Sequence, residues 1–199
     1  MSKTVTFYFS LLSPWVYMAG PRLHEIAQQA HANVAYRPID LLRVFRETGG
    51  TPLAALSPAR REYRAVERRR WSRYLGMPIS EQPRHHPVDE SLAAGTVLAA
   101  ERAGLPPWPL AQAVLAGVWV RDLDISDPAA LARIADEAGY PGKELVADGA
   151  GAECQASFDA HTRKALAGGI FGVPSFVVDG ELFFGQDRLD FVRRALTDD

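Results

Sequence analysis

The sequence predicts an α/β protein in which a β-α-β unit and an α-β-β-α unit flank a block of helices. Three observations carry this. Strand-like segments occur only near the two ends of the 199-residue chain. The middle is rich in Ala and Leu, with few β-branched runs and regular Pro or Gly breaks. Neither flank has enough strands to form a sheet alone, so the two are expected to pair across the helical block.

The elements follow in order. Val5-Thr6-Phe7-Tyr8-Phe9 alternates as a strand does. Ser13-Pro14 opens a helix that runs to about His31, and Gly20-Pro21 is expected to kink it or split off its first turn. Asn33 to Ile39 reads as a second strand. The helical block contains Pro58 to Leu75, Asp89 to Ala103, Pro109 to Val118, Pro128 to Glu137 and Gly142 to Val146. Gln155 to Ala167 is a further helix. Ser175 to Phe184 is a hairpin turning at Asp179-Gly180. Asp187 is expected to cap a last helix that places Leu189, Val192 and Leu196 on one side.

Composition narrows the function. With 22 Lys+Arg against 24 Asp+Glu and a net charge of -2, there is no electrostatic footprint for nucleic acid. The single Cys154 excludes an internal disulfide, a CxxC redox pair and a cysteine-based zinc site, and a reducing cytoplasm is the expected compartment. Cys154 has no helper nearby and reads as inert. The apolar stretch Phe7 to Gly20 carries Tyr8, Ser10, Ser13, Pro14 and Tyr17 and has no small-x-small cleavage site, so it is not read as a signal peptide. The longest later apolar run, Val114 to Val120, is too short to span a bilayer.

Four places could carry chemistry. Ser13-Pro14 is a helix N-cap followed by proline, and the same geometry offers an anion unpaired N–H groups, the helix dipole and a hydroxyl. Gly172-Val173-Pro174-Ser175 is either an ordinary strand start or a cis-proline turn that leaves the Val173 main chain free for an extended, peptide-like ligand. Asp187 is either a cap alone or, with Gln186 and the helix start, a receptor for both charges of an amino-acid head group. The helix from Arg60 to Leu75 holds seven arginines, most of them suited to a solvated face. Tyr63, Val66, Trp71, Tyr74 and Leu75 share one arc of it with Glu67 and Arg70, which are spaced to pair with each other, either packed or as walls of a cleft. Arg84-His85-His86 lacks the ligand number for a metal site.

Ser13-Pro14-Trp15, Gly172-Val173-Pro174-Ser175-Phe176 and Phe183-Phe184-Gly185-Gln186-Asp187-Arg188 together resemble the 2-hydroxychromene-2-carboxylate isomerases, relatives of the kappa-class glutathione transferases. The resemblance extends to the Arg60…Tyr63…Glu67…Arg70-Trp71 pattern, to His86-Pro87-Val88-Asp89 and to Trp119…Asp124-Ile125-Ser126-Asp127. It implies a thioredoxin-like fold of the DsbA and kappa-class type, formed by residues 1–45 and 155–199, with an all-helical domain inserted at 46–154. It also implies glutathione as cofactor, a small aromatic acid as substrate and a homodimer. The family's serine falls on Ser13, and its glutathione contacts on Val173, Phe184, Gly185, Gln186 and Asp187. Substrate contacts fall on Arg46 and His86, near Gly50. Arg46-Glu47-Thr48-Gly49-Gly50 departs from the family's Lys-x-Thr-Gly-Asn at Arg46 and Gly50, which bears on substrate choice more than on glutathione binding; Arg60 likewise replaces a usual Lys and Glu67 a usual Asp. The expected reaction is glutathione-dependent isomerisation. The rivals are a kappa-like transferase or peroxidase, a thiol oxidoreductase, which the missing CxxC nearly excludes, and a non-enzymatic glutathione-binding module.

Overall fold

The computed structural model describes residues 2–197. Strands β1 (Thr4–Phe9), β2 (Asn33–Pro38), β3 (Ser175–Val178) and β4 (Glu181–Phe184) form one sheet in the order β2-β1-β3-β4. β1 runs parallel to β2 and antiparallel to β3, which is antiparallel to β4. The two ends of the chain therefore do pair across the helical block, with Val5 opposite Val178 and Tyr8 opposite Ser175. The hairpin turns at Asp179 and Gly180, both with positive φ (49° and 88°), as a two-residue I′ turn requires.

The helices are α1 (Pro14–Gln29), α2 (Leu41–Thr48), α3 (Pro58–Leu75), α4 (Ser91–Arg102), α5 (Pro107–Trp119), α6 (Pro128–Glu137), α7 (Gly142–Gly149), α8 (Ala152–Ala167) and α9 (Leu189–Thr197). α2 is absent from the sequence expectation, although it is punctuated at both ends. Asp40 accepts from Arg43 N and Gly49 ends the helix with φ 78°. The expected boundaries at 45/46 and 154/155 fall inside α2 and α8.

Two expectations are corrected and one is narrowed. Gly20-Pro21 does not split α1, which is a single helix over Pro14–Gln29. The proline removes one donor, but Val16, Leu23 and Ala27 keep both halves seated on the core. Asp187 is not a helix cap: it lies within a 3-10 turn at Gln186–Arg188, directly before α9, and that turn has no side-chain cap. α3 buries no residue fully, and Tyr63 and Tyr74 are exposed, so only Trp71 and Leu75 of its expected apolar arc pack on the core.

The core is one cluster that runs from the sheet into the helices. Trp108 of α5 joins them. Its ring lies 5.3 Å from Phe7, 5.7 Å from Phe9 and 5.5 Å from Tyr36. Gly20 of α1 admits this indole: a Cβ there would stand 1.6 Å from Trp108 Cζ2.

A buried carboxylate fixes the loop between β1 and α1. Both oxygens of Glu90, immediately before α4, accept from Ser10 Oγ at 2.8 and 2.9 Å, and one accepts from Leu11 N at 2.6 Å. The Leu41 backbone, at the start of α2, also hydrogen-bonds to this carboxyl. Four residues earlier in the chain, His86 Nε2 donates to Leu12 O at 2.8 Å. The segment before α4 thus clamps residues 10–12. Burial pushes the Glu90 carboxyl up to about 8, and the Asp40 charge acts the same way, against the opposing pull of the Ser10, Leu11 and Leu41 donors.

Two outcomes test this construction. Gly20→Ala gains ~1 kcal/mol of helix propensity, but the overlap with Trp108 costs about 3 kcal/mol and wins. The variant should unfold at lower urea concentration with an unchanged m-value. Glu90 has a folded-state pKa above its unfolded value of 4.5, so its contribution to stability is fully present below pH 4.5 and is lost as pH rises through about 8. Glu90→Gln cannot ionise. The stability of the native protein relative to this variant should therefore fall between those limits, by up to ~1.4 kcal/mol per pH unit. Urea titrations of both proteins across that range check it, and parallel curves would show that the carboxyl does not titrate there.

Candidate active site

Strand directions bring four loops to one edge of the sheet: the ends of β1, β2 and β4 and the start of β3. A cleft of about 390 Å³ opens there, and Ser13 and Val173 both line it. A neighbouring cleft of about 290 Å³ shares Trp15, Arg64, Val173 and Phe184 with the first. The two form a continuous groove with Ser13 in the larger half.

Ser13 is the N-cap of α1, with extended backbone and 4% exposure. Its Oγ accepts from Val16 N at 3.3 Å, which leaves the hydroxyl hydrogen free to donate. Ser13 N donates to Ser10 O at 3.2 Å, so the Glu90 clamp also holds the start of α1. The Val173-Pro174 bond is cis, as the sharper of the two sequence readings has it, and so is His86-Pro87. His86 faces the larger cleft, its ring 4.7 Å from that of Trp119. Burial lowers the basicity of His86, and the Arg68 and Arg64 charges lower it further.

The smaller half holds the other end of the expected constellation. Val173, Phe184, Gly185, Gln186 and Asp187 all line it, together with Glu67 and Trp71 of α3. Gly185 N donates to Pro174 O at 2.9 Å, which ties the turn after β4 to the cis-proline loop. Gln186 is 4% exposed, and its Oε1 accepts from Arg22 Nη1 at 2.8 Å. That oxygen is therefore committed to α1, and Gln186 acts here as a brace. Asp187 lies 3.4 Å from Arg188 and keeps about half its side chain exposed. Glu67 and Arg70 pair at 2.6 Å as their spacing predicts, with Arg70 on the solvent side.

Arg46 is exposed and does not line the Ser13 cleft itself; it lines an adjoining hollow of about 330 Å³ with Asp40, Asp89 and Glu90. Leu12, Leu42 and Pro87 line both that hollow and the Ser13 cleft. Gly50 packs against Phe45, where a Cβ would stand 2.3 Å from the ring. Motif position alone could not reveal this, because α2 was not foreseen and its rotation decides where Arg46 points.

Sequence reasoning missed Arg61, Arg64 and Arg68, which line the larger cleft with Phe45, Trp119 and Phe171. Their spacing was the available signal. Residues 64, 68, 71 and 75 form one helical stripe, whose last two members, Trp71 and Leu75, pack on the core. Cys154 is buried at a distance from this groove, and burial pushes its thiol up. Among the described residues, no group of three or more His, Cys, Asp or Glu side chains is arranged for a metal ion, and no helix is long and apolar enough to cross a membrane.

Comparison with known proteins agrees with this architecture. A 2-hydroxychromene-2-carboxylate isomerase of Sphingobium xenophagum is 27% identical, over the full length of both chains. Human glutathione S-transferase kappa 1 is 25% identical, over 98% of this chain and 92% of its own. The solved structure of a 2-hydroxychromene-2-carboxylate isomerase superposes with a TM-score of 0.80 at 23% identity, covering 98% of this chain and 95% of the other, which shows a shared fold. The family model of the DSBA-like thioredoxin domain matches residues 4–197, so the chain belongs to that family and its sheet and helices form a DsbA-like thioredoxin fold.

Proposed function

We propose that the protein is a glutathione-dependent isomerase of the 2-hydroxychromene-2-carboxylate isomerase type, acting on a small aromatic-pathway acid. One observation carries this reading. A buried serine hydroxyl with a free donor sits at a helix start, in a groove with two chemically different halves.

The residues fit glutathione. The tripeptide carries an ammonium at one end, a thiol in the middle and two carboxylates. The smaller half offers Asp187 and Glu67 as acceptors for the ammonium and Arg64 for a carboxylate. Val173 lies between that half and Ser13, where its peptide groups suit the cysteinyl main chain. Phe184 and Gly185 shape the wall, and Gln186 holds it to α1.

When bound, glutathione supplies a thiolate that adds reversibly to the substrate double bond and leaves unchanged once the bond has taken its other geometry. Ser13 Oγ–H donates a hydrogen bond to that sulfur anion, and the first N–H groups of α1 add their partial positive charge. Free thiols titrate near ~8.5, and a shift of about two units converts most of the thiol to thiolate at neutral pH. Phe45 and Phe171 offer apolar walls to an aromatic ring and keep water from it. The likeness to the human kappa enzyme favours a second reading, a transferase that conjugates electrophiles. Glutathione is consumed stoichiometrically by a transferase and regenerated by an isomerase.

Ser13→Ala removes one charge-assisted hydrogen bond worth about 1.5–3 kcal/mol, so turnover of 2-hydroxychromene-2-carboxylate at pH 7 should fall roughly ten- to a hundredfold. The defect should shrink toward pH 9, where solution chemistry supplies thiolate. A pH-independent defect, or none, counts against the assigned role. Asp187→Asn leaves helix capping untouched, because Asp187 caps nothing. Calorimetric titration should show glutathione affinity weakened by about 1–3 kcal/mol, with melting of the free protein unchanged. Equal dissociation constants would remove Asp187 from the ammonium site.

A further inference from the structure

We infer that Arg61 and Arg68, with Arg64 on the rim shared by the two halves, form the subsite for the acidic group of the aromatic substrate. The inference rests on the reading that the larger half of the groove receives that substrate.

The charge inventory of the larger cleft is one-sided. Its lining includes three arginines and no Asp or Glu. The same helix supplies other arginines that do have acidic partners: Arg69 lies 3.1 Å from Glu81, and Arg70 lies 2.6 Å from Glu67. Among the described residues, Arg61, Arg64 and Arg68 form no ion pair within the 4.0 Å limit for such contacts. They lie at spacings of three and four, so they share one face of α3.

That face is the inward one. Arg64 and Arg68 occupy the first two positions of the stripe that continues as Trp71 and Leu75, which pack on the core. A helix normally carries apolar residues along such a stripe. Cations here oppose folding unless the surface they face is a site rather than a core. Arg68 is the deepest. Its guanidinium lies 5.6 Å from the Trp119 ring centroid, and its Nη2 donates to Glu81 O at 2.7 Å. Its Nε is buried and has no hydrogen-bond partner. Burial lowers the basicity of both Arg64 and Arg68, and the Arg64 charge lowers that of Arg68 further. An anion in the cleft relieves that repulsion. Phe45 and Phe171 flank the same space with rings, so the chemistry selected is an arene bearing a carboxylate.

This assignment differs from one that relies on Arg46, which lines the adjoining hollow and not the larger cleft itself. It also makes Arg64 the member able to serve either ligand, because it lines both halves.

The test uses 1-naphthoate and its uncharged amide as probes in calorimetric titrations of the intact protein. Neither probe requires turnover or glutathione, so the result stands apart from whether the isomerase reading survives. The native protein should bind naphthoate at least about tenfold more tightly than naphthamide. Arg61→Gln and Arg68→Gln should each weaken naphthoate binding about tenfold or more while leaving naphthamide and glutathione affinities unchanged. Arg61 is exposed and makes no contact that folding requires, so Arg61→Gln remains informative if Arg68→Gln disturbs the Trp119 packing. Arg68→Lys should recover only part of the affinity, because an ammonium lacks the planar fork. Equal binding of acid and amide, no binding of either, or naphthoate affinity that survives both substitutions overturns the inference. A matching loss of glutathione affinity overturns it as well, by moving these arginines to the thiol half.

Discussion

The antiparallel pairing of β1 with β3 is the constraint on which the site depends. It joins segments from the two ends of the chain in a register that sets Tyr8 opposite Ser175. β1 ends where β3 begins, so the loop carrying Ser13 and the turn carrying Val173 emerge at the same sheet edge. Pairing of Ser175 with Phe184 then delivers Gly185 and Asp187 to that edge as well. A shift of one residue would turn every inward side chain of β3 outward, which the buried Phe176 and Val178 oppose. The apolar register of four short strands therefore positions the chemistry.

The pairing brings the loops together but does not shape them. The β1–α1 loop is shaped by Glu90 and His86, which reach it from the chain segment before α4. With no cation beside it, the buried Glu90 carboxyl stays protonated below about pH 8 and holds the loop as a neutral acid, hydrogen-bonded to Ser10 and two backbone N–H groups. Because Ser13 N is bonded to Ser10 O, the helical block acts directly on the start of α1. Trp108 makes the same connection on the apolar side, seated between the sheet and Gly20. Sheet unit and helical block are thus one packed body at the site, whatever their separate origins in the chain.

Charge is divided along the groove. Asp187 and Glu67 lie in the half beside the β4 turn, whereas the half containing Ser13 has arginines and no carboxylate. Arg64 marks the crossover. A zwitterionic ligand and an acidic ligand would therefore be drawn to opposite ends, with their reactive atoms meeting near the serine. Helix α3 makes this division possible. It crosses the groove mouth without burying any residue fully, so its inward face is free to carry charge.

Much of this protein is determined by its sequence alone. Two-residue alternation and the Asp179-Gly180 turn fix the strands, proline at the first position marks the starts of α1, α3, α5 and α6, and Ser13-Pro14 with Gly172 to Ser175 and Phe184 to Asp187 mark the groove residues. These features are local, written in backbone conformation and periodicity over a few residues. The tertiary structure alone decided what depends on relative rotation and depth. It placed Arg46 on an adjoining hollow, committed Gln186 to Arg22, denied Asp187 a capping role and kept α1 one helix through Pro21. It also set Arg61, Arg64 and Arg68 along the larger cleft, from a helix that reads as a basic surface. Whether a charged side chain meets solvent or a cleft depends on what lies opposite it, and for these arginines that is Trp119 and Phe171, residues remote in sequence and adjacent only after packing.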